Sequence, residues 1–471
     1  MEQLKALAEL VPAEEQGKTM AGNAGAIGSA CDALNKIQGD SELALAALKL
    51  VLLLIVGNEF NRDKLKEPLA DPGIAAVART LIALPAEAPV QEAGFRLVKT
   101  AATKSEAIKA SFMEYDGIKP MRECFERHSE SPEVIKMVAA TMRAVTNADD
   151  WSTKLSKVFD TAKDLAKGGL LPLVYDAMRK NGDNPEIQVE LMGALKGCSI
   201  QDDIVKGIVS DGGLALALKA FKQHMDHPSV AQRSMLLLSN MAENDDVKKI
   251  LCEGDALPLM LTCMQLHGKV ARVVAAGFTA IASMALRMPD NVELMMEAGT
   301  ARVLIEGMRT HGSVSELNRQ AMIAIRNMVV RCPQHREAFL AEGAEELIIK
   351  ARDTHIKCAD AAFDCLRDLG CEYGGLGDMA GKGKHSAYVH VNRRQHPLPP
   401  AAACPNSGTT LYNSFVGPFS HACMVFPPFF LSWIFDPNNP PPRAQCEESL
   451  LNSKTGQANA GSSMVTWEEE D

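Results

Sequence analysis

The chain has 471 residues, 46% of them hydrophobic and only 5% aromatic, with a net charge of −10. The acidic balance argues against a surface built mainly for nucleic-acid phosphate, so no nucleic-acid partner is expected. The shortage of aromatics suits thin helical layers filled with Ala, Leu, Val and Met better than a β-rich core.

The opening MEQLKALAEL has the pattern of an amphipathic helix, and residues 1–24 read as an N-terminal capping helix. It lacks the charged-then-apolar layout of a secretory signal, which points to the cytoplasm and also admits the nucleus. The longest internal apolar run, residues 50–56, is too short to cross a bilayer, so no membrane span is expected. The twelve cysteines contain no CxxC pair, and buried reduced thiols are the expectation.

From residue 25 a motif recurs: a helix end, a small or acidic residue, a glycine, then an apolar stretch that often holds proline. It reads NAGAIGSA at Gly25, DPGIAAVA at Gly73, YDGIKPM at Gly117, KGGLLPLV at Gly169 and DGGLALAL at Gly213. It continues as EGDALPLM at Asp255, EAGTARVL at Gly299 and EGAEELII at Gly343. Successive separations are 48, 44, 52, 44, 42, 44 and 44 residues, the period of a helical solenoid. Glycine lets the chain leave a helix through a positive-φ corner, and Pro120, Pro172 and Pro258 then suit the first turn of the next helix.

A second marker keeps the same phase: Pro89, Pro132, Pro185 and Pro228 open apolar helices, with Ser131 and Asn184 as N-caps. One glycine corner and one proline corner per repeat imply three helices each; two helices per repeat is the alternative. The third helix is the most apolar, as in SMLLLSNMA and FTAIASMAL, and demands a neighbour on both sides. The long interval of 52 residues places an insertion at 147–166, read as an enlarged loop or lengthened helix projecting from the array.

The Gly-x-Ile/Leu-Pro-x-Leu corner followed by LLLSNMA resembles the armadillo-repeat family. The segments RAVTNADDWSTKLSKVFDTAKDLA and NRQAMIAIRNMVVRCPQHREAFLAEGAEELIIKARDTHIKCADAAFDCLRDLGC, above all its ending LRDLGC, are, more narrowly, similar to the armadillo repeat-containing protein 6 family. The resemblance covers roughly residues 20–372. It implies an all-α, right-handed armadillo-type superhelical solenoid of about eight three-helix repeats over residues 25–372. It also implies a non-enzymatic module that binds protein or peptide along its concave face, expected to be monomeric and to need no cofactor.

Armadillo arrays that grip extended peptides carry an Asn ladder on the third helices with Trp one turn earlier. The aligned positions here are Thr100, Ala144, Gly197, Asn240, Ser283 and Asn327. One turn earlier stand Arg96, Ala140, Gly193, Leu236, Thr279 and Ile323, with no Trp. An importin-like transport receptor for a peptide signal is therefore the alternative reading and not the first. The residue before each ladder position reads Lys99, Arg143, Lys196, Ser239, Ala282 and Arg326. Lys99, Arg143, Lys196 and Arg326, with Asn240 and Asn327, form the candidate partner-binding groove, suited to an acidic segment. A solvated basic helix face is the competing explanation.

No catalytic constellation and no metal site emerge. His224 and His227 lack a third ligand, Cys332 and His335 form a lone CxxH, and Cys358, Cys365 and Cys371 suit a helix core. The acidic pairs Asp202–Asp203 and Asp245–Asp246 fit helix starts. GGLGDMAGKGKH, from Gly374, departs from a phosphate loop at Leu376 and Gly383. Residues 373–471 lose helical periodicity and read as a disordered Pro/Gly-rich tail, real or produced by an error in the gene model.

Overall fold

The computed structural model describes residues 14–371, apart from 38, 67–72 and 151–155, together with isolated positions before residue 14. The expected tail at 373–471, with its phosphate-loop-like run, lies outside the described residues, as does much of the first dozen.

Among the described residues every regular element is helical, and the helices fall into eight layers of three. The first layer is Glu15–Asn23, Ala26–Asn35 and Ser41–Ile55; the last is Arg336–Ala341, Ala344–Thr354 and Ala359–Leu369. The third helices between them are Ala88–Ala102, Pro132–Val145, Pro185–Cys198, Pro228–Met241, Ala271–Ala285 and Ser315–Val329. Each packs on the third helix before it and the one after it. In the sixth layer Val273, Ala276, Phe278 and Ile281 are all fully or almost fully buried. Burial of one such side chain is worth about 1.5–3 kcal/mol, and a single layer could not supply it. Stacking therefore comes with folding: the array is a solenoid.

The two corner signals behave differently. Pro132, Pro185 and Pro228 are first residues of third helices, where the missing N–H costs nothing. Asn184 caps its helix by accepting from the N–H groups of Glu186 and Ile187 at 3.1 and 3.2 Å. Ser131 occupies the same position but makes no side-chain cap. The positive-φ corner is found at Gly25, Gly169, Gly299 and Gly343. It sits one residue early at Gly212, falls to Asp116 beside Gly117, and is absent at Asp255 and Gly254. There the preceding helix ends in extended backbone instead, so a glycine near the corner marks the turn without fixing its geometry.

The segment beginning at 147 divides in two. Val158–Lys167 is the ordinary first helix of the fourth layer, burying Val158, Ala162 and Leu165. The preceding Asp149 and Asp150 accept from the backbone N–H groups of Lys104 and Glu106 at 3.1 and 2.9 Å, at the start of helix Glu106–Glu114. Lys109, buried beneath them, pairs with Asp149 at 2.6 Å and Glu106 at 2.8 Å. The acidic pair thus serves the positive end of a helix one layer back. Residues 151–155 lie outside the described residues.

Candidate partner-binding site

A periodic set of side-chain bonds holds neighbouring layers in register. His128, His224, His267, His311 and His355 stand where second helices end. Each donates from Nε2 to a carbonyl of the preceding layer: Pro85, Gly182, Met225, Gly268 and Gly312, at 2.7–2.9 Å. Sequence reasoning missed this ladder, although four of its members repeat at intervals of 43, 44 and 44 residues. His224 is thereby occupied in stacking. His335 meets Glu293 at 3.0 Å. Among the described residues no cluster of three His, Cys, Asp or Glu could hold a metal ion. The described cysteines are buried and unbridged. Burial pushes the Cys31 and Cys198 thiols up to about 12, which leaves them unreactive.

The two ladder asparagines are also turned inward. Asn240 is buried and donates from Nδ2 to the Lys196 carbonyl at 3.2 Å. Asn327 donates to the Ala282 carbonyl at 2.9 Å. Both reach the third helix of the layer before, where an isolated amide in a peptide-gripping ladder would face a guest. At the same place in the fourth layer stands Gly197, and a Cβ there would lie 1.9 Å from the Thr146 hydroxyl. The third helices of layers three and four come close because that side chain is missing.

The basic positions separate into two kinds. Arg326 is half-buried and neutralised by Asp364 at 3.2 Å and Asp368 at 3.0 Å, both on the last helix. Lys99, Arg143 and Lys196 occupy successive third helices of layers two, three and four. Arg143 lies across Gly193, where a Cβ would meet its Cδ at 2.5 Å, and so reaches Glu190 at 2.8 Å. Burial pushes the Glu190 carboxyl up. Arg143, with Arg233 and Lys99 behind it, outweighs that and holds the group below the usual carboxylate range.

Lys196 is different. It is only 7% exposed. Burial, then the like charges of Arg233 and Arg143, pull it down to about 7. Three basic side chains, Arg143, Arg233 and Lys99, therefore act on Glu190 in the middle of the array, and two of them, Arg233 and Arg143, also act on Lys196. Arg233 and Glu190 escaped the sequence reading because they lie seven residues before Asn240 and Gly197. Two helical turns return a side chain to the same face, a longer spacing than the single turn that relates the Asn and Trp positions of a peptide-gripping ladder.

No family model and no curated relative matches the chain. Among solved structures the chain is similar to a crystal structure of an engineered protein. The TM-score is 0.55 and the identity 17%, over 79% of this chain and 95% of that one. It is also similar to a structure tied to a phosphorylation switch that controls the interaction between cadherin and beta-catenin. There the TM-score is 0.50 and the identity 12%, over 77% of this chain and 69% of that one. What these likenesses share with the eight stacked layers is the fold alone, an armadillo-like solenoid of helical repeats.

Proposed function

We propose that this chain is a non-enzymatic interaction scaffold. Its third-helix face, the concave side of the superhelix, takes an acidic segment of a protein partner at a centre formed by Lys196, Arg143 and Arg233. The observation that carries the proposal is the gathering of Lys196, Arg143 and Arg233 on successive third helices, where the two guanidiniums lie close enough for their like charges to act on the lysine. Like charges held close together cost free energy, and a guest carboxylate offsets that cost by pairing with them. Lys99 extends the centre by one layer. Arg326, Asn240 and Asn327 serve the stacking of the array and stand outside the docking centre.

An importin-like receptor for a basic signal is the weaker reading, because this centre repels a basic peptide. The narrower kinship with the armadillo repeat-containing protein 6 family rests on the segments from 143 to 166 and 318 to 371. The scaffold is taken to act as a monomer in the cytoplasm or nucleus, with no cofactor.

The test is fluorescence anisotropy of a labelled Asp/Glu-rich peptide on the full-length chain. Binding should weaken about tenfold or more in Arg143→Glu and in Lys99→Glu, and should fall as salt rises. Equal affinity in both variants, or tighter binding of a Lys/Arg-rich peptide, overturns the proposal.

A further inference from the structure

Five of the six junctions from the second layer to the eighth carry a histidine rung, supplied by His128, His224, His267, His311 and His355. Among the described residues the junction between layers three and four carries none. Asn181 stands at the histidine position there, and its amide donates to the Ala177 carbonyl of its own helix at 3.0 Å. From the fifth layer on, each rung ends on the carbonyl one residue past the previous layer's ladder position. A rung from the fourth layer would therefore end on Ser129. We infer that this junction is a hinge: layers one to three and layers four to eight move as two stiff bodies, pivoting on their third helices. The hinge stands whether or not the guest of the scaffold is acidic.

The place of the missing rung is open. A cleft of about 630 Å³ lies between the two layers, walled by Pro132 on one side and by Asn181, Asp183 and Pro185 on the other. What crosses the junction here is a set of solvated side chains. Lys180 donates from Nζ to the Ser129 hydroxyl at 2.8 Å and faces Glu130 at 3.5 Å, and Lys136 pairs with Glu186. Glu130, Lys180 and Glu186 are exposed, and exposed pairs of long side chains hold a geometry weakly. The opposite edge is tight. A Cβ at Gly197 would lie 1.9 Å from the Thr146 hydroxyl and one at Gly193 would lie 2.5 Å from Arg143 Cδ, so the two third helices meet closely and supply the axis. The longest interval between corners, 52 residues, spans this same junction. Asp149, Asp150 and Ser156 all bond to Lys104 or Glu106, so the inserted segment moves with layer three and the chain crosses to layer four at Lys157. An array that bends at one junction and is stiff on either side presents its third-helix face at more than one curvature.

The experiment is double electron–electron resonance on the full-length chain, with nitroxides coupled to a keto amino acid introduced at exposed second-helix positions. Ala83 and Lys222, in layers two and five, span the hinge; Lys222 and Thr354, in layers five and eight, span three rungs as the control. Each pair is about 30 Å apart at roughly 10 Å per layer. The distance distribution across the hinge should be about twice as wide as that of the control. Asn181→His supplies the missing rung and should narrow it toward the control. His267→Asn removes a rung and should broaden the Lys222–Thr354 distribution, with circular dichroism confirming that both variants fold. Equal widths for the two spans in the wild type overturn the hinge, a comparison that needs neither variant. A span that stays as broad in Asn181→His, or a control indifferent to His267→Asn, overturns it as well.

Discussion

Asn240 and Lys196 stand one layer apart, and the Asn240 amide donates to the Lys196 backbone carbonyl while the amine of the same lysine feels the like charges of Arg233 and Arg143. One residue therefore belongs to the stacking of the array through its backbone and to the docking centre through its side chain. Replacing Asn240 by Ala removes the bond between layers and leaves the carbonyl only the Ser199 N–H at 3.2 Å, which should cost about 0.5–1.5 kcal/mol. Urea unfolding of the full-length chain measures it; stability equal to wild type would show that the amide is not a stacking bond.

Lys196 should leave a pH signature. Its amine titrates near 10.5 when free and at about 7 in the fold. Between these values the folded chain binds fewer protons than the unfolded one, so stability rises with pH across the window, and the full burial penalty applies below it. Lys196→Met should therefore stabilise the chain at pH 6.5 by about 1–3 kcal/mol, a discounted share of the ~1.4 kcal/mol carried by each pKa unit. The gain should shrink toward zero near pH 10. Thermal melts across that range decide it, and a gain independent of pH contradicts the assignment.

Gly197 should resist substitution. A Cβ there collides with Thr146, so Gly197→Ala should cost about 1–3 kcal/mol by overpacking. Removing the hydroxyl in the Gly197→Ala, Thr146→Ala double variant should recover part of the loss. A double-mutant cycle showing strict additivity would place the cost elsewhere.

Glu190 competes with any guest for Arg143. Glu190→Gln should raise the affinity of an acidic peptide about three- to tenfold, because it removes a carboxylate already paired with Arg143. Anisotropy titration reads this directly; an affinity that drops would mean that Glu190 positions Arg143 for the guest.

The layered fold was legible because each third helix carries more apolar surface than one layer can hide, and that surplus repeats with a visible period. Pro132, Pro185 and Pro228 mark helix starts reliably, since a missing N–H is harmless only there. The glycine corners were less informative: Gly212 and Asp116 show that the turn can shift by a residue while the spacing survives. Of the proposed groove, Lys99, Arg143 and Lys196 fall on successive third helices as the aligned positions implied. Whether a neighbour neutralises a basic residue is decided by contacts between layers, which no single-helix pattern encodes. Asp364 and Asp368 occupy Arg326 in that way, and the histidine ladder went unnoticed for the same reason.

The central claim is that an acidic guest meets this chain at Lys196. Zero-length carbodiimide coupling of a labelled Asp/Glu-rich peptide to the full-length chain, followed by peptide mass mapping, tests it most directly. The account predicts adducts at Lys196 and Lys99, lost in Arg143→Glu. Adducts confined to lysines of the first and second helices, such as Lys163, Lys219 and Lys222, would contradict it.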